Sequence, residues 1–185
     1  MDKPTIRTKL AARRREMAAE ETAEERIARG TRFVESCLRT AEIQAACERG
    51  ALIASYESLP SEPPTTQLNE ALVTAGAKVV VPVHEINGRP LDGLEWLDIA
   101  NRKVVAATPA VLLDLPLEVV VTPALAVGRD GSRLGKGKGY YDRFFAQLPR
   151  TPVGPVRIAL VSEDEVFESL PVDELDEPID FFVTG

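Results

Sequence analysis

From residue 50 onward, short apolar runs alternate with stretches of helical composition, and this alternation restricts the fold more than any other feature of the chain. A helical bundle has no use for isolated β-branched runs, whereas a sheet covered by helices needs them at this spacing. "ALIASY" (51–56) reads as a buried strand, "TTQLNEALVTAG" (65–76) as a helix closed by Gly76, and "AKVVVPVH" (77–84) as the next strand. Between Glu85 and Trp96, the pairs Asn87-Gly88 and Asp92-Gly93 with Pro90 between them predict a short hairpin or edge strand ending at "LEWLDI". "LEVVVTPALAV" (117–127) is the strongest strand, a β-branched run that Pro123 takes out of ladder pairing. A helix over "GYYDRFFAQL" (139–148) and strands over "VRIALVS" (156–162) and "IDFFVT" (179–184) complete the pattern, with an acidic patch from Glu163 to Asp180 between the last two.

The first fifty residues are rich in Ala, Glu and Arg and hold no proline after Pro4, which predicts two helices broken near Glu20 to Thr22. In the first, Ile6, Leu10 and Met17 form an apolar stripe. At about 100° per residue, Lys3, Arg7 and Arg14 fall within about 40° of one another beside that stripe. Such a row of cations is either a wet surface or a ligand-facing one, and spacing alone does not separate the two.

At 185 residues and 44% hydrophobic content the chain can bury a core as one domain, 1–185. Its net charge of −7 argues against a nucleic-acid partner, because phosphate backbones are held by clustered Lys and Arg. No apolar run approaches the roughly 18 residues of a membrane span, and no signal-peptide core opens the chain, so a cytoplasmic setting without a membrane partner is expected. Cys37 and Cys47 are too few for a disulfide framework or metal site and read as buried thiols. His84, the one histidine, falls at a strand end and reads as structural or incidental.

Against this acidic background, "GRDGSRLGKGKGYYDR" (128–143) concentrates glycine and positive charge directly after the strongest strand. A strand running into a glycine-rich loop that opens a helix can gather amides around an anionic group. Glycine lets the backbone approach a phosphate and reach positive φ, while Arg133, Lys136 and Lys138 add full charges. The spacing is neither a P-loop nor a dinucleotide fingerprint, and a surface loop with solvated lysines is the alternative.

"GSRLGKGKGYYDR" closely resembles the signature of the 5-formyltetrahydrofolate cyclo-ligase (5,10-methenyltetrahydrofolate synthetase) family, in which Gly-x-Arg-Leu-Gly-x-Gly-x-Gly-Tyr-Tyr-Asp follows a strand ending in proline. The resemblance extends along the chain. "KPTIR" (3–7) is similar to an N-terminal Lys-x-x-Leu-Arg, with Arg13-Arg14 matching a basic pair on the same helix. "YESLPSEPPT" (56–65) carries a Glu-x-x-Thr at Glu62 to Thr65, and "VVVPV" (79–83), "LPVDELDEPID" (170–180) and "FFVT" follow in order. The chain departs from the family pattern at Gly128, where an acidic residue is common, at Leu175, where histidine is frequent, and at Glu165, where glutamine is usual.

The resemblance implies an α/β fold, a single three-layer α/β/α domain with a mostly parallel central sheet, joined here to an N-terminal helical pair. It also implies a reaction on small-molecule substrates, the conversion of 5-formyltetrahydrofolate to 5,10-methenyltetrahydrofolate with ATP and Mg²⁺; a monomer is expected. A formyl oxygen leaves poorly, so the γ-phosphoryl is moved onto it, N10 attacks the activated carbon, and phosphate departs. Phosphoryl transfer of this kind asks a protein mainly for positioning and charge neutralisation.

The resemblance also implies roles for particular residues of this chain. Lys3, Arg7 and Arg14 would neutralise ATP phosphates. The segment Arg133, Leu134, Gly135, Lys136, Gly137, Lys138, Gly139, Tyr140, Tyr141 and Asp142 would wrap the triphosphate, with Lys138 and Arg133 near the transferred group. Tyr140 would bond the formyl-bearing end of the folate, and Glu62 would accept from the pterin N–H donors. Asp142 and Asp176 would hold Mg²⁺ as hard oxygen ligands. Tyr56 and Trp96 are candidate walls for the folate rings, with core packing as the alternative. Two other readings use the same scaffold: a non-catalytic nucleotide- or folate-binding protein, which Gly128 and Leu175 favour, and a phosphoryl-transfer enzyme for another small metabolite.

Overall fold

The β-branched run ending at Pro123 lies inside a seven-stranded sheet. The computed structural model describes residues 2–86, 89–106, 112 and 114–185, and their side chains except at 84–94 and 106. Three helices come first: α1 (Lys3–Glu20), α2 (Ala23–Leu38) and α3 (Ala41–Glu48). Strand β1 (Leu52–Ala54), helix α4 (Thr66–Thr74) and strands β2 (Lys78–Ile86), β3 (Arg89–Asp98) and β4 (Lys103–Ala106) follow. Then come β5 (Leu117–Pro123), β6 (Ala126–Gly128), β7 (Arg133–Leu134), α5 (Tyr140–Phe145), β8 (Val156–Val161), a 3-10 turn at Glu163–Glu165, β9 (Val166–Phe167) and β10 (Phe181–Thr184).

The large sheet runs β10-β8-β5-β1-β2-β3-β4, parallel from β10 to β2 and antiparallel through β3 and β4. The predicted hairpin is therefore present, although its Asn87-Gly88 turn lies outside the described residues, as does the side chain of His84. Parallel strands covered on both faces must be apolar on both. Val119, Val120 and Val121 are accordingly 1%, 0% and 0% exposed.

Alternate residues serve opposite layers. On one face Ile53, Val79, Val119 and Val121 pack against Phe33 and Cys37 of α2, Ile43 of α3, and Leu68 and Leu72 of α4. On the other, Leu52, Ala54, Val80 and Val120 meet Trp96 and, from α5, Phe144 and Phe145. This is the expected three-layer arrangement. Both cysteines are buried and free.

The N-terminal region differs from the predicted pair of helices. Asp2 caps α1 by accepting from the Thr5 amide at 3.0 Å, and Thr22 with Glu25 forms a reciprocal capping box on α2, so the break at Glu20 to Thr22 is present. A second break separates α2 from α3, because Thr40 leaves helical geometry and its hydroxyl donates to the Cys37 carbonyl at 2.8 Å. The α1 stripe is also shorter than expected. Ile6 and Leu10 pack on Leu125, Ala126, Leu134 and Leu170, but Met17, about two turns further on, is 44% exposed. Among the described residues, no helix is long and apolar enough to cross a membrane.

A second, three-stranded sheet in the order β7-β6-β9 lies just past β5. It divides the glycine-rich segment into two structures. Residues 128–132 form the β6–β7 turn, with Gly131 at φ +86°, while 135–139 form a separate loop before α5.

Candidate active site

Neighbouring parallel strands β1 and β5 both run toward one cavity of about 990 Å³. Residues past the end of β1 contribute Leu59 and Glu62, and β5 contributes Pro123 with the residues after it. Openings at the carboxyl ends of parallel strands are where α/β sheets place ligands. The remaining wall comes from Arg7 of α1, from 133–143, and from the acidic turn 173–176.

The loop 135–139 is shaped by glycine and fixed by Arg7. Gly137 and Gly139 sit at φ +91° and +65°, which side-chain-bearing residues rarely adopt. Arg7 donates from Nε to the Gly135 carbonyl at 2.9 Å, and its guanidinium runs beside Gly137. One cation thus ties α1 to the loop while lining the cavity. Lys138 is exposed at the cavity wall, and its carbonyl accepts from Arg143 at 3.0 Å.

Arg133 lies beneath this loop. Its side chain is 3% exposed, its Nη2 donates to Asp142 Oδ1 at 2.5 Å, and its guanidinium faces the Phe145 ring at 5.7 Å. Leu134 is buried beside it. Tyr140 packs under the Arg143 guanidinium at 5.2 Å, and the buried Tyr141 hydroxyl has no hydrogen-bond partner among the described residues. Burial, with the Glu62 carboxylate nearby, pushes the Tyr141 phenol well above its usual range.

Glu62 faces the loop from the other wall. Its Oε2 accepts from the Leu59 amide at 2.8 Å, and its Oε1 lies 2.6 Å from Lys136 Nζ. Arg26 supports this wall by donating to the carbonyls of Pro60 and Leu59 at 2.7 and 3.1 Å.

Several sequence-derived candidates sit elsewhere. Arg14 does not line the cavity: its side chain is 7% exposed and bonds both Glu165 oxygens and the Ala124 carbonyl. Lys3 points to Asp173 and Asp176. Tyr56 and Trp96 are core residues on opposite faces of the sheet, 3% and 0% exposed, with the Trp96 ring 4.9 Å from that of Phe144. Neither lines the cavity. Conversely, Leu59, Arg143, Asp173 and Leu175 line it without having been singled out for it. Leu175, 85% exposed, had the signal of an apolar residue inside an acidic run.

Asp142 and Asp176 line the cavity, each already facing a cation. Burial opposes ionisation of Asp176, but the Lys3 ammonium and the Asp173 amide outweigh it and hold the carboxyl below its usual range. Among the described residues, no group of three or more His, Cys, Asp or Glu could hold a metal ion. Two partly exposed carboxylates do suit a Mg²⁺ that keeps its waters and arrives on phosphates, since such an ion needs only one or two protein oxygens.

Two of the three departures, Gly128 and Glu165, have local explanations. Gly128 suits its own turn: a Cβ there would overlap Ser132 Oγ and Asp130 Oδ1, so the side chains that bond each other in the turn would have to move. Asp130 is used inside that turn, accepting from the Ser132 amide and hydroxyl at 3.0 and 2.5 Å. Glu165 is the partner that a buried Arg14 needs.

Fold and cavity together define an α/β protein with a cavity at the carboxyl ends of its parallel strands, set between a cationic glycine loop and a buried carboxylate. Residues 1–185 match the model of the 5-formyltetrahydrofolate cyclo-ligase family, and the chain belongs to that family. It is similar to the 5-formyltetrahydrofolate cyclo-ligase of Mycolicibacterium smegmatis, 32% identical over 139 residues that cover 69% of this chain and 70% of that one. With the Escherichia coli enzyme of the same name it shares 33% identity over 141 residues, 71% of this chain and 76% of the other. The fold matches the 5,10-methenyltetrahydrofolate synthetase of Mycoplasma pneumoniae with a TM-score of 0.71 at 20% identity, covering 99% and 98% of the two chains. The corresponding Aquifex aeolicus structure gives 0.72 at 22%, covering 100% and 90%.

Proposed function

We propose that this chain carries out its family's reaction, closing the ring of 5-formyltetrahydrofolate to 5,10-methenyltetrahydrofolate at the expense of ATP. The observation that carries the reading is that Glu62 and the loop 135–139 line one cavity, so a group held by the first faces phosphates held by the second.

In this reading Arg7 and Lys138 neutralise the triphosphate, and the glycines let backbone amides approach it. Arg133 acts from beneath, keeping Asp142 and the start of α5 in place. Glu62 orients the folate ring by accepting its N–H donors. Tyr140 bonds the formyl end, and Lys138 offsets charge as the γ-phosphoryl passes to the formyl oxygen. N10 then forms its bond to the formyl carbon, passing its proton to the departing phosphate, as the carbon–oxygen bond to that phosphate breaks, so ADP and inorganic phosphate are released. Asp142 and Asp176 are proposed to offer oxygens to Mg²⁺, which supplies further neutralisation of phosphate charge when bound. No protein nucleophile is needed.

Pure protein incubated with 5-formyltetrahydrofolate and MgATP should develop the near-UV absorbance of the methenyl product. No change at high enzyme concentration would remove the proposal.

A further inference from the structure

We infer that Lys136 makes folate binding conditional on nucleotide, by capping Glu62 until phosphate draws the ammonium away; this deepens the function proposed above and rests on it. The observation is the ion pair across the cavity, Lys136 Nζ to Glu62 Oε1 at 2.6 Å, with side chains 42% and 7% exposed.

The two partners differ in freedom. Glu62 is fixed, because its Oε2 accepts from the Leu59 amide at 2.8 Å and its side chain is buried. Lys136 is a long, exposed side chain on a backbone whose neighbour, Gly135, is held by Arg7 at 2.9 Å. The lysine side chain is therefore the part that can leave. While it stays, a positive charge occupies the carboxylate oxygen where the ring's N–H donors must arrive. Donors and ammonium compete for one acceptor.

What displaces it is in the same cavity. Arg7 and Lys138 line the wall on which Lys136 sits, so a triphosphate gathered there offers its ammonium several anionic oxygens at once. Moving to them uncovers Glu62. Nucleotide then favours folate binding and, by linkage, folate favours nucleotide to the same factor.

The test measures binding of 5-formyltetrahydrofolate by calorimetry to the native chain and to Lys136→Met, with and without a non-hydrolysable ATP analogue. In the native chain the analogue should tighten folate binding by about fivefold or more. Lys136→Met should bind folate without nucleotide as tightly as the native chain does with it, and gain nothing further from the analogue. The same enhancement in the variant, or none in the native chain, overturns the gate while leaving the folate site standing. Failure of both proteins to bind folate in every condition overturns the site itself, and the gate with it.

Discussion

Arg14 grips Glu165 with two arms of its guanidinium, Nε at 2.6 Å from Oε1 and Nη2 at 2.7 Å from Oε2, and the same Nη2 reaches the Ala124 carbonyl at 2.7 Å. The pair fastens α1 to the chain just past β5, where the cavity begins. Arg7, about two turns earlier, reaches the cavity directly. One helix face thus supplies both a cavity-lining cation and a buried strut.

Removing one partner of this pair leaves the other charge buried. Arg14→Ala or Glu165→Ala should each lower unfolding free energy by about 3–5 kcal/mol, whereas the double replacement by methionine should be close to neutral. Urea denaturation checks this. The double variant should keep its KM for ATP; a large rise would return Arg14 to the phosphates.

Lys138→Ala should leave stability within about 0.5 kcal/mol, because the side chain is exposed. Turnover should fall by roughly 10²–10³-fold, the usual loss when one charge-stabilising donor is removed. Steady-state kinetics beside a thermal melt separates the two effects, and near-native turnover would take Lys138 out of the transfer step.

The tie from Lys3 to Asp173 and Asp176 has a pH signature. Asp176 is held below its ordinary value in the fold, so its contribution is full above the unfolded carboxyl range and disappears as pH falls through the lowered value. For Lys3, burial works against the charge, but its two carboxylate partners outweigh burial and raise the pKa; its contribution is complete below the unfolded lysine range and fades as pH rises through the raised value. Asp176→Asn should flatten the acid limb of a stability-versus-pH curve, and an unchanged limb would show that the tie adds nothing.

Burial pushes the Cys37 thiol up to about 12. At neutral pH it should resist iodoacetamide in the native state and react at the rate of unfolding. Mass spectrometry of the labelled protein, with and without urea, reads this out. Rapid native labelling at Cys37 would contradict its burial between α2 and the sheet.

The sheet was legible because a strand buried on both faces has to be written in β-branched residues, as at Val119 to Val121. The loop was legible because positive φ at Gly137 and Gly139 calls for glycine. The division of labour within α1 was not, because Lys3, Arg7 and Arg14 share one face and only tertiary contacts decide which cation meets Asp176, the loop or Glu165. Nor does spacing tell an aromatic wall from an aromatic core: Tyr56 and Trp96 are readable either way in the sequence, and only burial in the core, with Phe144 against Trp96, decides between them. The break at Thr40 escaped for a similar reason: threonine is tolerated within helices, and here its hydroxyl turns back to Cys37.

In the proposed reaction the formyl oxygen, not water, receives the phosphoryl group between Glu62 and the glycine loop. Turnover of 5-formyltetrahydrofolate carrying a heavy oxygen isotope in its formyl group, with the released phosphate analysed by mass spectrometry, tests it most directly. Each phosphate formed with methenyl product should then carry one heavy oxygen. Unlabelled phosphate accompanying that product would contradict it.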